Sequence, residues 1–346
     1  MSSDYLQARR FAVAPMHAYT NRHARFFYRL LSQRALLYTE MIHARAAIGR
    51  HADRELDFDP REQPLAAQLA GNEIASLVEA AVECERRGYS AVNLNIGCPS
   101  DKVRHGAFGA CLMLQAELVA RQIAALAARL RIPVSVKCRL GVDDQNYHRT
   151  LPDFLKRLAD VGCSEVIIHA RKAMLQRLSP RQNRDIPPLD YPFVYAMRER
   201  FCNMHISING GITDISQAQQ HLAYVDGVML GRTVLQSPML LAQVDSEIFG
   251  EAQRRVDLMT LLQQEYASYA SVQQAAGVAA PPLLRPFINL FKGWPGGGKF
   301  RRVLSTAHAS QLPLGDVLAQ ALDCITQAQN VSFNGKSNQS HKYLLS

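Results

Sequence analysis

The chain has 346 residues, 48% hydrophobic and 20% charged, which is ordinary globular composition with enough apolar residues for a sizeable core. No stretch approaches the roughly 20 apolar residues of a membrane span, and the opening MSSDYLQARRFAVAP has no leader pattern, so a cytoplasmic protein without membrane contact is expected. A net charge of +9 suggests a polyanionic partner.

In chain order, short β-branched or apolar runs recur at 11–15, 36–39, 65–70, 91–96, 134–138, 165–169, 205–208 and 227–230. The segments between them, such as 73–88 and 115–130, have helical periodicity. The second repeat has the shortest helix, 43–48. Eight strand–helix repeats in about 240 residues fit a closed (β/α)8 barrel better than an open doubly wound sheet. Beyond about residue 250 the strand signals stop. Segments 256–276 and 316–329 read as helices, with a proline-rich joint at Ala280-Pro281-Pro282. The expected organisation is an α/β TIM barrel over 1–245, a small all-helical domain over 246–330 and a flexible polar tail over 331–346.

Seven cysteines (Cys84, Cys98, Cys111, Cys138, Cys163, Cys202 and Cys324) lack metal-ligand or CxxC spacing. The odd count argues for reduced thiols, with no disulfide framework and no bound metal.

Chemistry in such a barrel sits at the C-terminal ends of the strands. Those ends carry Pro15 and Met16, Thr39 and Glu40, Gln68, then Asn93, Asn95 and Cys98. Lys137 and Arg139, then His169, Arg171 and Lys172, follow. The last two ends carry Asn209-Gly210-Gly211 and Gly231-Arg232. Glycines after the last two strands let backbone N–H groups approach a phosphate; the alternative is two tight turns needing positive φ. The helix after Gly211, with Thr213 or Asp214 at its cap, would present its positive end, and Arg232 a fork for phosphate oxygens. A buried Lys137 needs an anionic partner, which a flavin, a phosphate or a carboxylate could supply. His169 reads either as a site residue or as a satisfied core histidine.

Cys98 ends a strand and opens a loop containing Gly97, Gly106 and Gly109. On a loosened loop at the barrel mouth it could donate a proton as a thiol or attack a carbon as a thiolate. His105 is the one nearby base, and the plain alternative is a small buried hydrophobe. Two runs, 171–184 and 285–302, each carry five basic side chains and no acid. The second interleaves them with Phe287, Phe291, Trp294 and Phe300. Either run could be a solvated surface or a grip on nucleic acid.

These motifs resemble those of the tRNA-dihydrouridine synthases. The match is carried by Ala14-Pro15-Met16, Tyr38-Thr39-Glu40-Met41, LNIGCPSDKVRHGAFGACLM from Leu94 to Met113, Val136-Lys137-Cys138-Arg139, Ile168-His169-Ala170-Arg171, and the segments 207–211 and 227–232. HARKAMLQRLSP, NRDIPPLDYP and GVDDQ resemble the subfamily acting on D-loop uridines 20 and 20a. The resemblance implies FMN held by Pro15, Met16, Gln68, Lys137, His169, Asn209, Gly210, Gly211, Gly231 and Arg232. It implies hydride addition at C6 of uracil from FMNH2, a proton from Cys98 to C5, and NADPH as the electron donor. Asn95 and Arg171 are then expected at the uracil edge. Arg181, Asn183, Arg184, Lys299, Arg301 and Arg302 are expected at the tRNA, bound by a monomer. The triple glycine Gly296-Gly297-Gly298 has no counterpart in the family pattern. The rival readings are an FMN barrel acting on a free pyrimidine, like a dihydropyrimidine or dihydroorotate dehydrogenase, and a barrel that binds RNA without catalysis.

Overall fold

Nine short parallel strands form one sheet in the computed structural model, which describes residues 3–100, 103, 105–307 and 312–335. They are β1 (Phe11–Val13), β2 (Leu37–Tyr38), β3 (Ile42–His43), β4 (Leu65–Ala70), β5 (Ala91–Asn95), β6 (Val134–Arg139), β7 (Glu165–His169), β8 (His205–Asn209) and β9 (Gly227–Leu230). The pairing order is β1-β9-β8-β7-β6-β5-β4-β2, with β3 also on β4. A parallel bridge between Ala12 and Leu36 closes the ring, and Val13 donates its N–H to the Leu36 carbonyl at 2.9 Å. The architecture is a TIM barrel followed by C-terminal helices. The second stave is split: β2 pairs with the start of β4 and β3 with its end. Sequence periodicity marked only the first piece, because Thr39-Glu40-Met41 interrupts the apolar run.

Inward positions alternate along each strand, and their character changes with depth. At the bottom lie Ala12, Ala66 and Ala91, whose small side chains leave room for Tyr38 and for Tyr5 of an N-terminal helix, Ser3–Ala8. Tyr5 donates its hydroxyl to Glu165 Oε2 at 2.9 Å, and Arg9 reaches the same oxygen at 3.4 Å. Burial raises the pKa of the Glu165 carboxyl, against the opposing pull of Arg9 and Tyr5. The helix therefore plugs the barrel floor, and the polar inward positions lie above it.

The chain divides into two compact units. The first comprises the described residues up to Arg22 together with Arg34–Gly231; the second comprises His23–Gln33 and the described residues from Arg232 onward. The expected joint at 245/246 falls inside the second unit. Helix Arg22–Leu31 lends almost all its length to that unit. There Phe26 stacks on Tyr269 at 3.8 Å, Phe27 meets Phe287 edge-on at 4.8 Å, and His23 Nδ1 lies 2.8 Å from the Tyr269 hydroxyl.

The helix expected over 256–276 is present as Leu258–Thr260, a π-helical turn Leu261–Tyr266, and Ala267–Ala275. The proline-rich joint instead starts a helix, Ala280–Leu284, whose prolines occupy the first turn where no N–H donor is required. Helix Leu314–Gly335 runs into the expected tail, and 336–346 lie outside the described residues.

The triple glycine has a steric explanation. Gly296 caps helix Gly297–Thr306 at φ +82, and a Cβ there would collide with the Cys324 carbonyl. A Cβ on Gly297 would collide with the Phe291 carbonyl, whereas Gly298 has nothing within 4 Å. Gly297→Ala should therefore destabilise the protein by about 1–3 kcal/mol through overpacking. Gly298→Ala should stabilise it by up to about 1 kcal/mol, as expected for glycine in a helix. Urea unfolding followed by the fluorescence of Trp294, the single tryptophan, checks both signs; shifts in the same direction would refute the steric account.

Candidate active site

Above the floor, inward residues of neighbouring strands face one another in register, Gln68 opposite Asn93 and Asn93 opposite Ser135. Gln68 Nε2 donates to Asn93 Oδ1 at 2.8 Å, and Asn93 Nδ2 donates to Ser135 Oγ at 2.9 Å. Gln68 Oε1 accepts from Asn95 Nδ2 at 2.8 Å. The Asn95 Oδ1 then accepts the backbone N–H groups of Gly97 and Cys98 at 3.1 and 2.9 Å. Each bond contributes about 0.5–1.5 kcal/mol net, and together they fix side chains that would otherwise rotate. The interior of the barrel thereby sets the backbone carrying the Cys98 thiol. Asn95, expected at the uracil edge, builds this turn with its oxygen and one N–H.

Cys98 itself is half-buried, its Sγ 3.4 Å from Ser100 Oγ. Its carbonyl accepts the Ala110 N–H at 3.0 Å. Two of the glycines expected to loosen this loop, Gly97 and Gly109, are instead sites of close approach. Gly109 has φ +59, and a Cβ there would collide with Val103 and lie 2.8 Å from the Cys98 carbonyl. A Cβ on Gly97 would lie 3.2 Å from the Cys138 backbone. His105 is exposed; residues 101, 102 and 104 lie outside the described set.

Across the rim, Lys137 Nζ donates to Asn209 Oδ1 at 2.9 Å, and Asn209 Nδ2 to the Met229 carbonyl at 2.7 Å. Burial pushes the Lys137 ammonium down to about 8, assisted by the charge of Arg139, while Cys138 and then Cys98 act in the opposite sense. His169 is buried, opposite Asn209 in register. Gly210, at φ +110, lies so close to that ring that a Cβ would sit 2.9 Å from its Cε1. Tyr191 donates its hydroxyl to the Gly210 carbonyl at 2.8 Å, and a Cβ on Gly211 would collide with that hydroxyl. Gly231 faces Ala14 and Met16, where a Cβ would meet the Met16 Sδ at 3.4 Å. Pro15 and Met16 are half-buried at the end of β1. The helix after Gly211, Ile215–Leu222, already has a carboxylate at its start: Asp214 accepts the Gln217 N–H at 2.8 Å. The start of that helix is therefore already capped, while the glycine backbone of the expected anion site stays in place. Arg232, exposed, directly follows Gly231 and opens the second unit.

Arg139 received no role from the sequence, although it shares its inward face with Ser135 and Lys137. It is buried, and its guanidinium donates to three carbonyls: Gly97 at 3.0 Å, Lys172 at 2.9 Å and Asn183 at 2.9 Å. Burial pushes it down to about 10. It ties the cysteine turn to the basic loop.

The family model for dihydrouridine synthase (Dus) matches residues 12–330. The chain belongs to the dihydrouridine synthase family. It is 45% identical over 318 residues to the tRNA-dihydrouridine(20/20a) synthase of Shigella flexneri, covering 91% of this chain and 93% of that one. It is likewise 45% identical to the tRNA-dihydrouridine(20/20a) synthases of Salmonella typhi, covering 93% of this chain and 97% of that one, and of Escherichia coli strain K12, covering 91% of each. Among solved structures, the 2-naphthoyl-CoA reductase–2-naphthoyl-CoA complex superposes with TM-score 0.54 at 10% identity, covering 68% of this chain. The chain spans about half of that structure, 49%, and the likeness concerns the fold alone.

In this member of the dihydrouridine synthase family the basic runs divide by exposure. Arg177, Arg181 and Arg184 are exposed and Arg171 half-buried, with its Nη1 on the Pro187 carbonyl. Asn183, expected to touch RNA, is fully buried. It accepts the Met174 N–H at 2.7 Å and donates to the Met174 and Leu178 carbonyls at 2.9 Å, stapling the loop from within. In the second unit Lys299, Arg301 and Arg302 are exposed. Phe287, Phe291 and Phe300, interleaved with these basic residues in sequence, are buried. Those aromatics serve the core of the second unit, and the charges remain outside.

Because the folded pKa of Lys137 lies below its unfolded value, the lysine costs stability fully below pH 8, and the cost fades between about pH 8 and 10.5. Lys137→Met, in protein stripped of small molecules, should therefore unfold at higher urea than the parent at pH 7. The gap should shrink as the pH rises through that window, and a constant gap would show that the lysine is not held in a desolvating site.

Proposed function

We propose that this chain reduces the C5=C6 bond of uridines 20 and 20a in the tRNA D-loop to 5,6-dihydrouridine, using FMN re-reduced by NADPH. Membership of the family and the names of its relatives support the reaction and the substrate positions. The observation that carries the reading is the Cys98 thiol, held by Asn95 on a fixed turn at the rim.

The residues fit a flavin. Among the described residues, the hydrogen-bond acceptor of Lys137 is the neutral Asn209 Oδ1. That leaves a desolvated cation able to stabilise negative charge on a ring. Gly210 leaves beside His169 a space that a side chain would fill. Gln68, His169, Asn209, Pro15 and Met16 would hold the ring, and Gly210, Gly211, Gly231 and Arg232 the phosphate. FMN, when bound and reduced by NADPH, supplies hydride to C6 of the uracil. Cys98 gives its S–H proton to C5 and regains one from solvent, so the base gains two hydrogens. Arg171 and the remaining N–H of Asn95 are assigned to the uracil edge. The uridine must leave its stack to reach the thiol, at a cost of a few kcal/mol. Arg181, Arg184, Lys299, Arg301 and Arg302 offset this by phosphate contacts.

Cys98→Ala should retain FMN and NADPH oxidation while slowing dihydrouridine formation about 100-fold or more, the contribution typical of a positioned acid. Product formation at the parent rate would remove Cys98 from the reaction. The double variant Arg301→Ala/Arg302→Ala should weaken tRNA binding and flatten its salt dependence by about two phosphate contacts, with the flavin spectrum unchanged. An unaltered slope of log Kd against log salt would place the tRNA elsewhere.

A further inference from the structure

The loop after β1 is built more tightly than a connection requires. Thr20 Oγ1 accepts the Met16 N–H at 2.9 Å, and the Met16 carbonyl accepts the N–H groups of Tyr19 and Thr20 at 3.0 and 2.9 Å. Ala18 sits at φ +65, an unfavourable region for a residue with a Cβ. Glu40, beyond β2, holds it there: its Oε1 accepts the Ala18 N–H and lies 3.8 Å from His17 Nδ1. Met16 borders Gly231, so the loop spans the rim from the end of β9 to the end of β2. Thr20 is buried at the base of the loop, while Tyr19 is 50% exposed.

An aromatic ring is ordinarily a residue to bury. Here a strained, clamped loop holds one out at the barrel mouth, where neither the fold nor the cofactor reading uses it. The proposed reaction creates a matching need, because extruding a uridine strips its neighbour of a stacking partner. Aromatic faces stack on any nucleobase with little sequence preference. We infer that Tyr19 stacks on the nucleobase flanking the extruded uridine, and that Glu40 positions it through the Ala18 turn. The inference rests on the tRNA reading above and adds a residue that stabilises the extruded state.

The test uses the full-length, FMN-loaded enzyme and a tRNA transcript carrying 2-aminopurine next to the target uridine. With the parent enzyme the probe should be quenched on binding, because its face is covered. Tyr19→Ala should leave the bound probe bright and weaken Kd on the order of tenfold, with FMN absorbance unchanged. Tyr19→Trp and Tyr19→Phe should restore both quenching and affinity. Equal quenching and Kd for Tyr19→Ala and the parent would overturn the inference alone. So would a defect that neither aromatic variant repairs. If the parent enzyme itself binds no tRNA, the proposed function falls and this inference with it.

Discussion

One side-chain amide organises the upper half of the barrel. Gln68 lies fully inside, donates to Asn93 and accepts from Asn95, and Asn95 in turn fixes the backbone N–H groups of Gly97 and Cys98. A thiol on an ordinary loop samples many positions. This one is referenced to strands β4, β5 and β6 through buried and partly buried hydrogen bonds. Arg139 adds a second tie, from the Gly97 carbonyl to the basic loop. The turn bearing the sulfur and the loop bearing exposed arginines are thus fastened to one guanidinium.

The barrel was readable because its strands obey a simple rule: inward positions recur every second residue, and crossover helices separate the runs. The mouth residues followed from strand ends, since Asn93, Lys137 and His169 must face inward once the alternation is fixed. Register was not readable. Nothing local announces that Leu36 bridges Ala12, or that Ile42 and His43 resume the second stave on β4.

Errors arose where one residue type serves two purposes. A buried asparagine stapling a loop, Asn183, looks in sequence like an asparagine reaching for a ligand. Gly97 and Gly109 looked like sources of freedom and prove to be sites of close approach. The phenylalanines interleaved with the basic residues of 285–302 fill a core, beside Leu262, Tyr266, Leu284 and Leu318, so the run that looks mixed in sequence separates by depth. Arg139 was visible at its strand end, but its three carbonyl partners are distant in sequence, and no spacing rule connects them.

Helix Arg22–Leu31 begins in the barrel's chain segment and delivers Phe26 and Phe27 to Tyr269 and Phe287. The C-terminal unit is therefore not a detachable appendage, since part of its core is written near the N-terminus. A chain truncated after β9 would keep that helix with two phenylalanines stripped of their aromatic neighbours, an invitation to aggregate. Exchange of C-terminal modules between relatives must carry this early helix along, or select partners that accept its apolar stripe.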